Sequence, residues 1–331
     1  MPLGSEDALL ARLTRHFPTG HPSLLLGRGD DCAVLRSGGP FCVSADLFLE
    51  DVHFRRRYFT PQEAGYKALA VNLSDLAACG ARPTAFTLCL GLPPDVDDDW
   101  LEGFFEGMGR LAAQQRMVLA GGDLARADKI HVSITVWGDA SGPGGFLARG
   151  GSMPGDSLFV IGSLGLARVG LAVLEAEGRA ALDAWPAACA AHLTPAPQID
   201  AGLTLARAGV NGRPPTLMDV SDGLARDLPR LLGGTAEHGG LGAEIVLPEG
   251  LLHPEVVRHA RLRRLSPVGQ AFLGGEDYAL LGACAPDLLP ALHAALPGMN
   301  TIGTVTATGR VCCNGEPVPE NAGFDHFAHP A

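Results

Sequence analysis

The chain of 331 residues lacks the features that mark several common classes of protein. Basic residues are scarce: 25 Lys and Arg stand against 36 Asp and Glu, and the formal net charge is −11. A nucleic-acid-binding protein usually presents a basic face, so that role is not expected. No apolar run approaches the length of a membrane span, and the N-terminus lacks the apolar core of a signal peptide. We therefore expect no membrane partner.

Cysteine pairs and the familiar nucleotide motifs are also missing. The eight cysteines form no C-x-x-C pair, so we expect reduced core residues of a cytoplasmic protein and no zinc site. There is no G-x-x-x-x-G-K-[ST] phosphate loop, no G-x-G-x-x-G after a predicted strand and no G-x-S-x-G nucleophile elbow. A nucleotide could still bind to this acidic chain through divalent cations held between its phosphates and protein carboxylates.

The composition indicates a folded protein with more than one core. Hydrophobic residues make up 47% of the chain and charged residues 18%, and the length is sufficient for two domains. Strand and helix patterns are mixed along the chain, which predicts an α/β (α+β) fold. A glycine-rich stretch at residues 142–155 predicts a boundary between an N-terminal domain, residues 1–140, and a C-terminal α/β domain, residues 141–331.

One predicted helix, residues 67–80, organises the rest of the chain. Gly80 is its expected end, and Leu69, Leu73 and Leu76 form an apolar seam along one side. A second stripe on the same helix consists of Ala68, Asn72, Asp75 and Cys79. Asp75 is thus a carboxylate within a mostly apolar helix. The helix alone leaves two interpretations open, a solvated face or a metal ion opposite Asp75.

Other carboxylates fall at predicted turns and strand ends beside small residues. With Asp75, the set is Asp30, Asp31, Asp46, Asp123, Asp219 and Asp222. Hard oxygen ligands without His or Cys clusters suit Mg²⁺. Taken singly, each motif has a simpler interpretation: Ser221-Asp222 is a plausible helix N-cap, His53 a structural histidine, and Glu276-Asp277 a pair of turn residues.

Two predicted strands are expected to stop at such polar residues. Residues 41–48 predict a strand interrupted by Ser44-Ala45-Asp46, and residues 117–120 predict a buried strand that ends at Gly121-Gly122-Asp123. Asn314-Gly315 predicts a β-hairpin near the C-terminus.

The order of the motifs is more specific than any one of them. They are, in sequence, GDDCAV, SADLFLEDVHF, KALAVNLSDLAACGARP, GGD, DVSDGL, GGEDYALL and GFDHF, and they run from residue 29 to residue 327. In this combination the chain resembles the thiamine-monophosphate kinases, within the superfamily that includes aminoimidazole ribonucleotide synthetase and selenophosphate synthetase. DVHF, GEDY and GFDHF are typical of the kinase branch.

The resemblance implies an activity, a fold and an assembly. The activity is transfer of the ATP γ-phosphoryl group to thiamine monophosphate, giving ADP and thiamine diphosphate with the help of several Mg²⁺ ions. The fold is a two-domain synthetase-type α/β fold. The assembly is a homodimer in which the N-terminal domain contributes strands to a β-barrel between the subunits. The expected partners are ATP and thiamine monophosphate, not nucleic acid.

The resemblance also implies roles for individual residues. The implied metal ligands are Asp30, Ser44, Ala45, Asp46, Asp75, Asp123, Asp219 and Asp222. The implied ATP contacts are Phe105, Gly122, Asp123, Arg149 and Ser221, and the implied substrate contacts are His53, Glu276 and Phe324. The residues implied to support the transfer itself are Asp30, Asp75, Asp123, Arg149 and Asp222. Three residues depart from the usual pattern, Ala45, Leu124 and Arg28, and Ala45 could be a ligand only through its carbonyl oxygen.

The chemistry is consistent with such a site. A phosphate monoester has a second pKa of about 6, so the acceptor oxygen is largely anionic at neutral pH and needs no general base. His53 is therefore expected to bind substrate and not to accept a proton.

A selenophosphate synthetase would carry a Cys and a Lys in a glycine-rich N-terminal segment, whereas the first ones here are Cys32 and Lys67. Two further hypotheses are a non-catalytic binding protein and an ATPase acting on another small phosphate ester.

Overall fold

The computed structural model describes residues 15–17, 20–26, 33–140, 145–209, 212–233 and 240–318. These residues form two compact units. The first contains the described chain up to Leu76 together with Ala81–Ala140, and the second contains Ala77–Gly80 together with the described chain from Ser141 onward. Five residues named above, Arg28, Asp30, Asp31, Cys32 and Phe324, lie outside the described residues.

The first unit is built on a four-stranded sheet. Its strands and the helices of this part of the chain are β1 (Leu24–Leu26), β2 (Val34–Leu35), β3 (Phe41–Leu49), α1 (Pro61–Ala78), β4 (Ala81–Leu92), α2 (Asp98–Gln114), β5 (Val118–Arg126) and β6 (His131–Ala140). The sheet has the order β3-β6-β4-β5, and β1 and β2 form a separate antiparallel pair. Only the β4–β5 pair of this sheet is parallel.

Strand β3 shows that the predicted interruption is wrong. It pairs with β6 without a break from Phe41 to Leu49. Its side chains alternate between the two faces of the sheet, as in any strand. Ser44 and Asp46 lie on the same face as the buried Phe48, which we call the inner face, whereas the outer face carries Phe41, Val43 and Leu47 at 55%, 52% and 60% exposure. Polar residues on the inner face made this strand look interrupted.

Strand β5 also continues past its predicted end. Residues 121–126 pair with residues 87–92 of β4 and extend the strand through the Gly-Gly-Asp motif. A Cβ atom on Gly122 would lie 1.8 Å from the carbonyl oxygen of Leu88. Gly122 therefore allows the two strands to approach, so the motif lengthens the strand and does not stop it.

Helix α1 is confirmed and begins earlier than predicted, at Pro61. Thr60 and Glu63 form a capping box at its start: the Glu63 N–H donates to Thr60 Oγ1 at 3.2 Å, and the Thr60 N–H donates to a Glu63 carboxylate oxygen at 2.8 Å. The helix ends before Gly80, which has a φ of 63°. The predicted seam of Leu69, Leu73 and Leu76 is buried.

Two glycines let α1 and α2 cross in direct backbone contact. A Cβ atom on Gly65 of α1 would lie 1.9 Å from the carbonyl oxygen of Phe104, and one on Gly107 of α2 would lie 1.9 Å from the carbonyl oxygen of Gln62. The spacing between these two helices is therefore set by the absence of side chains at two positions.

The second unit is built on a seven-stranded sheet with the order β13-β12-β9-β11-β7-β10-β8. Its strands are β7 (Ser157–Ile161), β8 (Thr216–Val220), β9 (Gly242–Ile245), β10 (Ala279–Cys284), β11 (Met299–Thr306), β12 (Val311–Cys313) and β13 (Glu316–Pro317). Its helices are α3 (Leu166–Glu177), α4 (Ala181–Ala184), α5 (Pro186–Leu193), α6 (Ile199–Ala206), α7 (Leu224–Leu231), α8 (Pro254–Arg263), α9 (Pro267–Leu273) and α10 (Leu289–Ala295). The predicted hairpin is confirmed, since Asn314 and Gly315 join β12 and β13 with φ values of 50° and 84°.

The cysteines differ from expectation in their burial. None of the seven cysteines of the described chain forms a disulfide. Cys189 and Cys284 are buried, but Cys89 is exposed and the other four are half-buried, so the prediction that they are mainly core residues is wrong. No helix in the described ranges is both long and apolar enough to cross a membrane.

Candidate active site

Three of the implied metal ligands meet in the first unit. Ser44 of β3 donates a hydrogen bond from its Oγ to Oδ2 of Asp75 on α1 at 2.5 Å. Asp46 lies two residues further along the same face of β3. Burial, and then the nearby negative charge of Asp75, raises the pKa of Asp46 to about 6. Asp75 thus faces a second carboxylate and a hydroxyl group, which decides against a fully solvated helix face.

The chemistry of this cluster fits a divalent cation. Two carboxylates that repel each other in a partly buried place have an unfavourable charge arrangement, which a bound cation offsets. Carboxylate and hydroxyl oxygens are hard ligands of the kind that Mg²⁺ takes together with water and substrate phosphates. Among the described residues, no group of three His, Cys, Asp or Glu side chains suited to a metal occurs. Asp30 and Asp31 lie outside those residues.

The structure places Asp123 and Ala45 on the other face of the same sheet. Asp123 belongs to a cross-strand row with Cys89, Ser133 and Leu47. Asp46 belongs to the adjacent row, with Ile134, Leu88 and Gly122. Adjacent rows project to opposite faces of a sheet. Asp123 and Ala45 are exposed on the outer face, so this arrangement does not bring them to Asp46 and Asp75.

His53 has the environment of an oriented structural histidine. Its Nδ1 accepts a hydrogen bond from the Leu49 N–H at 3.0 Å, and its ring stacks on Phe48 with the ring centroids 5.9 Å apart. Because Nδ1 is an acceptor, the neutral ring carries its proton on Nε2. The ring is therefore fixed in both orientation and tautomer.

Phe105 lies in the core of the first unit and is 0% exposed. Its ring makes edge contacts with Phe17 and Phe104. In this arrangement Phe105 offers no surface to a nucleotide, and the implied ATP contact stays a prediction.

In the second unit, two of the motifs lie against each other. The loop after β8 contains Ser221, whose carbonyl oxygen accepts a hydrogen bond from the Glu276 N–H at 2.7 Å. The Tyr278 N–H donates to the carbonyl oxygen of Val220 at 2.9 Å. Asp219, the last but one residue of β8, is 4% exposed. The structure therefore joins an implied nucleotide contact to an implied substrate contact through backbone hydrogen bonds.

Asp222 already has a cationic partner in the structure. Arg230 Nη1 lies 2.7 Å from Asp222 Oδ2 and 2.9 Å from Asp227 Oδ1. Asp227 is fully buried and accepts the Asp222 N–H at 2.9 Å; burial is the main reason why its pKa is raised to about 6. Asp227 and Arg230 are not among the residues predicted from the sequence, although their i, i+3 spacing on a helix was a usable signal. The metal role implied for Asp222 stays a prediction.

Arg149, the implied phosphate contact, is exposed in the second unit.

Asp277 lies in the irregular segment before β10, and its side chain also caps a helix, a role that the interpretation as a turn residue does not include. Its carboxylate accepts the N–H groups of Gly165 at 2.5 Å and Ala167 at 3.1 Å, at the start of α3. Gly165, the N-cap residue, has no side chain to do this itself. Burial raises the pKa of Asp277 to about 7, and the backbone N–H groups oppose that shift.

This burial predicts a pH-dependent effect of Asp277→Asn. The folded pKa of about 7 exceeds the ordinary value of 3.8, so the folded chain binds the proton more tightly than the unfolded chain. Between pH 7 and pH 5 the wild type should gain about 2 kcal/mol of unfolding free energy relative to Asp277→Asn, whose amide does not titrate. Urea titrations of both proteins at the two pH values measure this, and parallel pH dependences would contradict it.

Comparison with known proteins agrees with these observations. Residues 29–140 match the family described as AIR synthase related protein, N-terminal domain. The thiamine-monophosphate kinase of Escherichia coli (strain K12) is 36% identical over 337 residues, which cover 98% of this chain and 99% of the relative. The chain belongs to the thiamine-monophosphate kinase family. A second member, from Synechococcus elongatus, is 34% identical and covers 91% of each chain.

A solved structure gives the same result for the fold. The structure described as AaThiL complexed with AMPPCP and TMP has a TM-score of 0.76 and 28% identity, and the match covers 97% of both chains. The α/β synthetase-type fold and the resemblance to thiamine-monophosphate kinases are thus confirmed. The barrel between subunits that the resemblance also implies is not tested by a single chain.

Proposed function

We propose that this chain is a kinase that uses ATP to phosphorylate thiamine monophosphate to thiamine diphosphate, the final step of thiamine diphosphate biosynthesis. The observation that carries the proposal is the cluster of Ser44, Asp46 and Asp75, formed by two motifs that the sequence separates. The family supports the substrates, since a relative's structure is described as complexed with AMPPCP and TMP.

The mechanism follows from the charge of the reactants. Both substrates are anions, and the acceptor oxygen is ionised near neutral pH, so the main tasks are to bring two polyanions together and to align them. Mg²⁺ ions, when bound, supply charge neutralisation of the phosphates. Ser44, Asp46 and Asp75 fit that role by their geometry, and the other proposed ligands are Asp30, Ala45, Asp123, Asp219 and Asp222.

The chain's own residues position the substrates. Ser221, Gly122, Asp123 and Arg149 are the proposed contacts of ATP. His53, Glu276 and Phe324 are the proposed contacts of thiamine monophosphate. The hydrogen bond from Leu49 to His53 Nδ1 leaves the proton of the neutral ring on Nε2, which suits donation to an anionic oxygen. His53 therefore binds and orients, in keeping with an acceptor that needs no general base.

The proposal is tested by product analysis. The protein is incubated with ATP and Mg²⁺ and with either thiamine monophosphate or free thiamine. Thiamine diphosphate formed only from the monophosphate supports the proposal. Nucleotide binding without transfer would favour a non-catalytic binding protein, and ADP release only with another phosphate ester would overturn the substrate while keeping the phosphoryl-transfer chemistry.

We also propose that the outer face of β3 forms part of a homodimer interface in a cytoplasmic enzyme. Phe41, Val43 and Leu47 make an exposed apolar stripe on an edge strand of the described sheet, and such stripes usually meet a partner. The seven described cysteines, all outside disulfides, favour a reducing compartment.

Val43→Lys should convert the dimer to a monomer in sedimentation velocity, because it places a charge within the apolar stripe. Val246→Lys is the matched control, since Val246 is 60% exposed in the second unit. A wild type that sediments as a monomer, or a Val43→Lys variant that stays dimeric, would argue against this interface.

A further inference from the structure

A buried histidine contacts one of the proposed substrate-binding residues. His192, on α5, is 1% exposed, and its Nδ1 lies 3.1 Å from Oε2 of Glu276. The Glu276 side chain is 26% exposed, so one side of it faces the buried histidine while part of it stays accessible. An Nδ1–H can donate to this carboxylate in either charge state of the ring.

The backbone of Glu276 is held in an uncommon conformation. Its φ is 61°, in the left-handed region that non-glycine residues seldom adopt, and Tyr278 also has a positive φ of 48°. The surrounding contacts fix both positions: Glu276 N–H donates to Ser221, and the carboxylate of Asp277 caps α3. Strained backbone of this kind persists where the neighbouring structure determines it, and it concentrates at functional sites.

The helix that carries His192 is itself tightly positioned. A Cβ atom on Gly170 of α3 would lie 2.0 Å from the carbonyl oxygen of Ala188 and 2.9 Å from Cβ of His192, so glycine permits the close packing of α3 and α5. At the start of α5, the carboxylate of Glu255 accepts the N–H groups of Ala187 and Ala188. His192 therefore contacts Glu276 from a helix that is fixed at its start and along its length.

We infer that His192 is a positioning residue, which holds the Glu276 carboxylate in the orientation that receives thiamine monophosphate. The inference rests on the proposed function, in which Glu276 contacts this substrate. A glutamate side chain has several rotatable bonds, and binding must restrict them unless the protein has already done so. His192 supplies that restriction before the substrate arrives, which favours binding by preorganisation. His192 therefore affects the binding of thiamine monophosphate and not the binding of ATP.

Two variants of His192 separate positioning from packing. His192→Leu keeps an apolar side chain in the buried place and removes the donor, whereas His192→Asn retains an N–H donor near the position of Nδ1. We expect His192→Leu to raise the KM for thiamine monophosphate about tenfold while the KM for ATP changes less than about twofold. His192→Asn should restore most of the lost affinity. In a Glu276→Ala background, where the carboxylate that His192 holds is absent, His192→Leu should add little further loss.

His259→Leu is the matched control, because His259 is a second buried histidine of the same unit, 5% exposed on α8. It should leave the KM values for thiamine monophosphate and for ATP close to those of the wild type. Two results for His192→Leu would overturn the positioning role while leaving the proposed function in place. One is an equal rise in both KM values, and the other is an unchanged KM for thiamine monophosphate in a variant that still forms product. A wild type that forms no thiamine diphosphate overturns the proposed function and this role together.

Discussion

Replacing Asp75 by Asn is expected to lower the rate of thiamine diphosphate formation by about 10²–10³-fold, the cost typical of losing one preorganised electrostatic group at a reacting centre. Asn has nearly the same volume as Asp, and its carbonyl oxygen can still accept the hydrogen bond from Ser44 Oγ. The variant therefore removes a negative charge and leaves the packing of α1 in place. The rate is measured with ATP, Mg²⁺ and thiamine monophosphate at saturating concentrations.

Metal binding gives a second readout of the same variant. Any ligand that binds only the folded chain raises its apparent stability. Mg²⁺ should therefore raise the melting temperature of the wild type more than that of Asp75→Asn. Asp128→Asn is the matched control, since Asp128 is an exposed carboxylate of the same unit. An Asp75→Asn variant with the turnover and Mg²⁺ response of Asp128→Asn would show that the cluster holds no essential ion.

Gly107→Ala is expected to destabilise the first unit by roughly 3 kcal/mol or more, a large effect for one methyl group. The added Cβ would lie 1.9 Å from the carbonyl oxygen of Gln62, 2.6 Å from its carbonyl carbon and 2.7 Å from its Cα. These are backbone atoms, so no side-chain rotation relieves the overlap. The two helices must move apart, and activity should fall as well because α1 carries Asp75.

The glycines of this unit supply a graded series of controls. At Gly103 the nearest atoms are side-chain atoms of Gln62 and Pro61 at 3.0 Å, so Gly103→Ala should have an intermediate effect. At Gly38 nothing lies within 4 Å, and Gly38→Ala should change the unfolding free energy by less than about 0.5 kcal/mol. Urea unfolding of the three variants measures the series. A Gly107→Ala variant as stable as Gly38→Ala would mean that the crossing is looser than the structure has it.

Local patterns in the sequence predicted the regular elements well. The leucine seam of α1, the end of that helix at Gly80 and the Asn314-Gly315 hairpin depend on neighbours a few residues apart. The capping box of Thr60 and Glu63 has a local signal of the same kind, and using it would have given the true start of α1. The resemblance, which depends on motif order, selected Ser44, Asp46 and Asp75 before the structure brought them together.

Contacts between distant parts of the chain could not be predicted in this way. The cap that Asp277 provides joins positions 110 residues apart. Nothing local distinguishes His192 from any other histidine in an alanine-rich helix. Strand β3 was predicted wrongly because its inner face is polar and its outer face apolar, which reverses the pattern usual for a half-buried strand.

That reversal has a consequence for how the chain folds. If β3 slipped by one residue against β6, every side chain would change faces. Phe41, Val43 and Leu47 would turn inward, and burial alone would favour this mispaired form. The hydrogen bond between Ser44 and Asp75 and the burial of Phe48 exist only in the native register. The polar residues of this strand thus help to specify its pairing register. Replacing them would favour the mispaired form even in a chain that no longer needed its catalytic activity.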